Sequence, residues 1–255
     1  MAAQKAVDLN ADIGESFGAY TIGLDEELIK YITSANIACG LHAGDPLVME
    51  RTVALAAAHG VAVGAHPGYP DLQGFGRRDM SLSPAEVKAY VMYQVGALMA
   101  FAGAAGVKLT HVKPHGALYN TAARDPRIAA AVVEAVKAVD EGLVLLALAG
   151  SEMVKAARAA GLAVAQEVFA DRAYHADGTL VPRGVPGAVI HDPEGAIPRA
   201  VRMVTEGKVR AITGEEIAIE ADSICVHGDN PRAVEFARRL KEALVAAGVL
   251  VRPLR

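Results

Sequence analysis

The chain has 255 residues, 53% hydrophobic and 21% charged, with a formal net charge of -4. That length suits one large α/β domain or two small ones, and the apolar share is enough to bury a sizeable core. The negative balance argues against nucleic acid as a partner, and no apolar run is long enough to read as a membrane span.

In chain order, one unit recurs: a short apolar run, a polar loop, then a capped helix. Strand-like runs fall at 6–10, 35–39, 61–65, 108–112, 143–147, 163–168 and 223–227. They are rich in Val, Ile, Leu and Ala and mostly continuous, as strands buried on both faces are. Between them, acids in the first turn mark a helix at 25–33, as the helix dipole favours. Asp45-Pro46 opens a second helix that stops at Gly60. Ser83-Pro84-Ala85-Glu86 is a capping box for a third, which runs to about 105. Asp125-Pro126, Ser151, Asp192-Pro193 and Asn230-Pro231 supply the next four starts, with glycines at 161, 207 and 248 as stops. Strict alternation of strand and helix means an α/β fold. About seven such units favour a closed, partly irregular TIM-like barrel over an open sheet, and no linker divides residues 1–255 into two domains. One departure, 169–190, carries Asp177-Gly178 at a hairpin turn and reads as an inserted hairpin or lid. Without a signal-peptide pattern or a C-x-x-C pair, Cys39 and Cys225 are expected as free buried thiols in a cytoplasmic protein.

In a parallel barrel the active site forms where loops leave the strand ends. The polar residues cluster there. Asp8, Asn10, Asp12 and Glu15 crowd three carboxylates into the first strand end. Alternation along a strand turns Asp8, Asn10 and Asp12 to one face. Crowded carboxylates call for a cation, a proton or a polar substrate; an acidic turn before a helix is the plain alternative. Five of the eight histidines, His42, His66, His111, His115 and His227, lie at or near strand ends. His42 either bonds its own glycine-rich loop or serves the site. Proline after His66 aims that ring off the strand end. His111, Lys113 and His115 share parity, and His111 is expected as a satisfied core residue. Lys113 is the sharpest signal, because a lysine inside an apolar strand must pair with carboxylates or lose its charge. Asp45 and Asp229 read equally well as helix caps. Arg77 and Arg78, which follow Gly74 and Gly76, and Arg172 and Arg183 in the insertion, suit an anion or a solvated charge pair. P-loop, dinucleotide, zincin and nucleophile-elbow motifs are all missing. A metal would therefore need ligands from separate strands, with Asp12, His42 and His66 as candidates.

Five segments carry a resemblance. Asp8 to Glu15 (DLNADIGE), Ala35 to Pro46 (ANIACGLHAGDP), Gly64 to Asp71 (GAHPGYPD), Val112 to Tyr119 (VKPHGALY) and Glu167 to Arg172 (EVFADR) closely resemble the LamB/YcsF family, the A subunits of 5-oxoprolinase, in order and spacing over nearly the whole chain. The resemblance implies a seven-stranded barrel of the glycoside hydrolase/deacetylase kind. It also implies a role in ATP-dependent opening of 5-oxo-L-proline to L-glutamate with partner subunits B and C. ATP with Mg2+ would belong to the complex, since no P-loop is visible here; a divalent metal in this chain and self-association both stay open. On that reading Asp12 or Glu15 is the base. Lys113 and His115 stabilise negative charge, and His66 orients water. Asn10, Arg77, Arg78, Asp171 and Arg172 hold substrate or phosphate. The alternatives are a metal-dependent deacetylase or amidohydrolase without ATP, and a non-catalytic scaffold subunit.

Overall fold

The computed structural model describes residues 4–228 and 230–254. In order the chain forms β1 (Ala6–Ile13), α1 (Asp25–Leu28), β2 (Ser34–Ala38), α2 (Pro46–Ala58), β3 (Ala62–His66), α3 (Pro84–Ala104), β4 (Leu109–Val112), α4 (Gly116–Ala122), α5 (Pro126–Val139), β5 (Val144–Leu148), α6 (Glu152–Ala160), β6 (Val164–Phe169), α7 (Pro193–Glu206), β7 (Lys208–Arg210), β8 (Glu216–Ala218), β9 (Ser223–Val226), α8 (Pro231–Ala246) and β10 (Leu250–Val251).

β1, β2, β3, β4, β5, β6 and β9 pair in that order, all parallel, and β9 returns to β1, so the sheet closes into a barrel of seven strands. The closing register sets Asp8 opposite Ser223 and Ala11 opposite Val226. The expected class is therefore the observed one. Helices pack outside, and Leu9, Ile37, Val63, Val112, Leu145, Val168 and Ile224 belong to the main core. A smaller apolar cluster of Val144, Leu146 and Ala165, with Leu254 of the C-terminal tail against it, adjoins the mouth at the strands' N-terminal ends. The other mouth carries the polar residues.

The helix punctuation works by satisfying end groups. Asp45 accepts from Val48 N, Ser83 and Glu86 form the reciprocal box, and Asp125, Asp192 and Asn230 cap their helices, each followed by proline. Asp229, the other cap candidate, lies outside the described residues.

Several expectations need correcting. The first helix does not run to residue 33; it spans Asp25–Leu28. Thr33 is drawn into the barrel instead, donating its backbone N–H to Leu9 O at 2.8 Å and accepting Leu9 N–H on Oγ1 at 2.8 Å. Ser151 occupies the N-cap position of α6 without making a cap bond, and its buried hydroxyl has no hydrogen-bond partner among the described residues. α4, the β7–β8 hairpin and β10 were not anticipated. β10 extends the sheet at the start of β1, pairing Ala6 with Leu250. The 169–190 excursion turns at Gly178, where φ is +83°, but only isolated antiparallel bridges stitch it, Arg172 to Val189 and Tyr174 to Leu180. Both cysteines are free and buried. Among the described residues no helix is long and apolar enough to cross a membrane.

Candidate active site

Alternation along β1 sends Asp8, Asn10 and Asp12 into the barrel, where each meets partners from other strands. At the deepest level Asp8 Oδ1 accepts from the Thr33 and Ser34 hydroxyls, both at 2.6 Å, and Ser223 Oγ donates to Oδ2. Burial pushes this carboxyl above the usual range, against those three hydroxyl donors. One level up, Asn36 Nδ2 donates to Asn10 Oδ1 at 2.7 Å and to Asp12 Oδ1 at 2.9 Å. His111 stands beside them with both nitrogens used, Nε2 with Asn36 Oδ1 at 2.8 Å and Nδ1 with the Thr110 hydroxyl at 2.8 Å. It is the satisfied core histidine that its position suggested. Burial and nearby Lys113 push its pKa down to about 3.

Lys113 follows β4 directly and is almost fully buried. Its Nζ lies 2.7 Å from Glu167 Oε1, 3.0 Å from Asp12 Oδ1, 3.1 Å from Asn10 Oδ1 and 3.3 Å from Cys225 Sγ. Burial alone would lower its pKa, but Asp12, Cys225 and Glu167 together hold it well above the ordinary lysine value. The ammonium is therefore charged at neutral pH. Glu167 has no exposed surface, and its second oxygen accepts the Tyr119 hydroxyl at 2.6 Å. Burial raises the Tyr119 hydroxyl far above its usual range, and the Glu167 carboxylate reinforces the shift. Asp12 is likewise burdened by burial, yet His66 and Lys113 bring it well below the carboxylate norm, so it stays ionised.

Toward the opening lies a group of imidazoles. His66 ends β3, His42 follows β2, and His115 precedes α4. His115 Nδ1 is 2.9 Å from His66 Nε2, and His66 Nε2 is 3.3 Å from Asp12 Oδ2. The His42 ring stacks on His115 at 3.9 Å with an interplanar angle of 8°. Burial lowers the pKa of His42 well below its usual value and that of His115 to about 3, with the nearby His66 ring adding to the effect on His115. Glycines make the room. A Cβ at Gly68 would sit 2.6 Å from His42 Nδ1, and one at Gly64 would sit 2.1 Å from His111 Nε2.

The arginines are placed differently. Arg78 pairs with Asp71, its Nε 2.9 Å from Asp71 Oδ1, within the loop that presents Phe75 to His115. Arg77 lies 5.0 Å over the Phe75 ring. Arg172 is buried in the insertion, donating from one terminal nitrogen to Val181 O at 2.7 Å, while its Nε has no partner among the described residues. Asp171 lies 3.4 Å from His227. Burial would raise Asp171, but His227 keeps it below the usual carboxylate value.

So Asp12, His66, Lys113, His115 and Asn10 form one connected network, with Glu15 Oε1 at its edge, 3.8 Å from His115 Nδ1. Of the metal candidates, His42 and His66 join His115 and Glu15 in a group whose donor atoms lie within 4.8 Å of one another; Asp12 is outside that group but touches His66. Glu167 and Tyr119 fall within the matched segments but were assigned no site role from sequence. A lone carboxylate in the apolar run Val164–Phe169, matched to a lone lysine in another apolar run, was the available signal.

A closed ring of seven parallel strands, with acids, imidazoles and a lysine at the strands' C-terminal mouth, makes this an α/β barrel of the TIM-like class. A family 4 carbohydrate esterase from Streptomyces lividans shares the fold, with a TM-score of 0.51 at 12% identity over 98% of this chain and 93% of that one. The chain belongs to the LamB/YcsF family, whose model matches residues 7–255. It is 61% identical to the A subunit of 5-oxoprolinase from Alkaliphilus metalliredigens over 238 residues, 93% of each chain. It also matches the crystal structure of a lactam utilization protein from Thermus thermophilus, with a TM-score of 0.93 at 56% identity, covering 98% of this chain and 100% of that one.

Proposed function

We propose that this chain is a catalytic subunit of an ATP-dependent 5-oxoprolinase, working with partner subunits B and C to open 5-oxo-L-proline to L-glutamate. The names of its full-length relatives support the reaction. The observation that carries the assignment to this chain is a charged, buried lysine held 3.0 Å from Asp12 and 2.7 Å from Glu167 at a barrel mouth. A pocket of that kind serves a substrate that develops negative charge.

A five-membered lactam is a poor electrophile because nitrogen donates into the carbonyl. Transfer of the terminal phosphoryl group of ATP to the lactam oxygen, releasing ADP, activates the ring carbon. Water then adds to that carbon and gives up its proton, the C–N bond breaks, and nitrogen takes up a proton. The resulting acyl phosphate consumes a second water to release phosphate and L-glutamate. In this scheme Asp12 or Glu15 receives the proton from water. Lys113 and His115 stabilise the developing oxyanion, and His66 orients the water. Asn10 contacts the substrate; Arg77, Arg78 or Arg172, with Asp171, holds phosphate or carboxylate. The barrel acts as one domain with the 169–190 excursion as its lid. Nucleotide with Mg2+ is handled chiefly by the partners.

The test is substrate-dependent ATP turnover and glutamate release by the three-subunit mixture. Lys113→Ala and Asp12→Asn are expected to lower both by at least ~100-fold, the usual contribution of a positioned acid–base or charge-stabilising group. Wild-type rates from both variants would remove the assignments. Full hydrolysis of the lactam without ATP or partners would favour the metal-dependent amidohydrolase reading.

A further inference from the structure

A backbone carbonyl oxygen only accepts, so an imidazole nitrogen facing one must carry the hydrogen. His66 Nδ1 lies 2.7 Å from the Lys113 carbonyl oxygen, and His115 Nε2 lies 2.8 Å from the Phe75 carbonyl oxygen. Each neutral ring is thereby fixed in one tautomer. The nitrogens left with lone pairs are His66 Nε2 and His115 Nδ1, and they face each other at 2.9 Å. Asp12 Oδ2 approaches the first at 3.3 Å, and Glu15 Oε1 the second at 3.8 Å. Acceptors thus converge on acceptors. Alongside, the fully buried His42 has no hydrogen-bond partner on either ring nitrogen among the described residues. A proton shared between His66 and His115 would relieve the first conflict and leave His42 unexplained. A cation bound by all three rings resolves both.

We propose that this chain binds one divalent transition-metal ion on His42, His66, His115 and Glu15. Three imidazoles and one carboxylate suit a borderline ion such as Zn2+ and are poor company for Mg2+, which prefers oxygen ligands and keeps its waters. The Lys113 and Phe75 carbonyls then act as the outer acceptors that orient ligating imidazoles. The set keeps His42 and His66 from the sequence expectation and replaces Asp12, which is ion-paired to Lys113, by His115 and Glu15. When bound, such an ion supplies Lewis acidity beside the Lys113 pocket. The case for this site stands on tautomers and orphaned nitrogens, although His66, His115 and Glu15 also carry roles in the lactam reaction proposed above.

The full-length chain, stripped with chelator and dialysed, is titrated with Zn2+ and separately with Co2+, without partners or substrate. The expected result is one Zn2+ per chain by elemental analysis, retained in millimolar Mg2+, and visible ligand-field bands from the Co2+ form. His42→Ala and Glu15→Gln are each expected to weaken Zn2+ affinity by at least about tenfold, since even outer-shell changes cost that much. His59→Gln, on an exposed histidine, is expected to bind as wild type. Circular dichroism confirms folding, and Glu15→Gln, at the half-buried edge, keeps the test open if His42→Ala misfolds. Traces of metal well below stoichiometry in the folded wild type, or unchanged affinity in the folded variants, would overturn the proposal. Failure here leaves the ATP-coupled turnover assay unaffected, so the two readings fail separately.

Discussion

The lysine pocket and the imidazole group touch through Asp12 and His66, yet they meet desolvation in opposite ways. Around Lys113 every buried charge has its counterpart: ammonium against Glu167 and Asp12, Glu167 against the Tyr119 hydroxyl. Around His66 and His115, lone pairs oppose lone pairs, and the His42 nitrogens have no hydrogen-bond partner among the described residues. Buried charge is tolerated when paired and costly when its partner is removed. A fully paired pocket is therefore stable on its own terms, whereas imidazole nitrogens that face one another or lack a hydrogen-bond partner among the described residues are arranged for something that arrives from outside the chain.

The largest effect should come from breaking the paired side. Lys113→Ala leaves Glu167 and Asp12 as buried carboxylates without the cation they face. Loss of one partner from a buried ion pair costs about 3–5 kcal/mol. Denaturant unfolding of the purified chain should show a loss of that order. A loss below about 1 kcal/mol would mean that water, not Lys113, compensates those carboxylates.

A second effect separates the two regions by pH. His111 belongs to the paired side, with a folded pKa of about 3 against an ordinary value of 6.5. Between those values the unfolded chain binds a proton that the folded chain does not. Stability therefore falls as pH drops from 6.5 toward 3, by about 1.4 kcal/mol per pH unit for this group, and is independent of it above 6.5. His111→Gln retains a side chain able to reach Asn36 and removes the titration. The stability difference between wild type and variant should slope by that amount across the window. A flat difference would show that His111 titrates normally.

Both regions were partly visible in the sequence, for different reasons. Strand parity disclosed Asp8, Asn10 and Asp12 as one row and His111, Lys113 and His115 as another, because alternation is a local property of the chain. The seven barrel strands were legible because proline-led caps and stopping glycines framed the helices between them. Glu167 and Tyr119 were given no role from sequence because Glu167 lies far along the chain from both its partners, Lys113 and Tyr119, and α4 carries no start signal; its N-cap, His115, makes no side-chain cap bond. β7, β8 and β10 are two or three residues long, below what periodicity detects. The helix expected at 25–33 was cut short by a tertiary bond, Thr33 to Leu9, which no local propensity encodes.

The smallest effect tests whether an orphaned polar group always signals a ligand. Ser151 carries the cap residue type in the cap position, but its buried hydroxyl makes no hydrogen bond. No convergence of acceptors surrounds it comparable to that at His42. Its hydroxyl is therefore a desolvation cost without return, and Ser151→Ala should change stability by no more than about 0.5 kcal/mol, in either direction. Asp45→Ala is the matched control, because Asp45 accepts from Val48 N at 2.9 Å and from Gly18 N at 2.9 Å. Removal of a working cap costs about 0.5–2 kcal/mol. Equal losses at the two positions would mean that Ser151 caps α6 in solution after all. Unequal losses would leave the His42 group as the place where unsatisfied nitrogens converge with other donors, and so as the one whose partner is worth seeking.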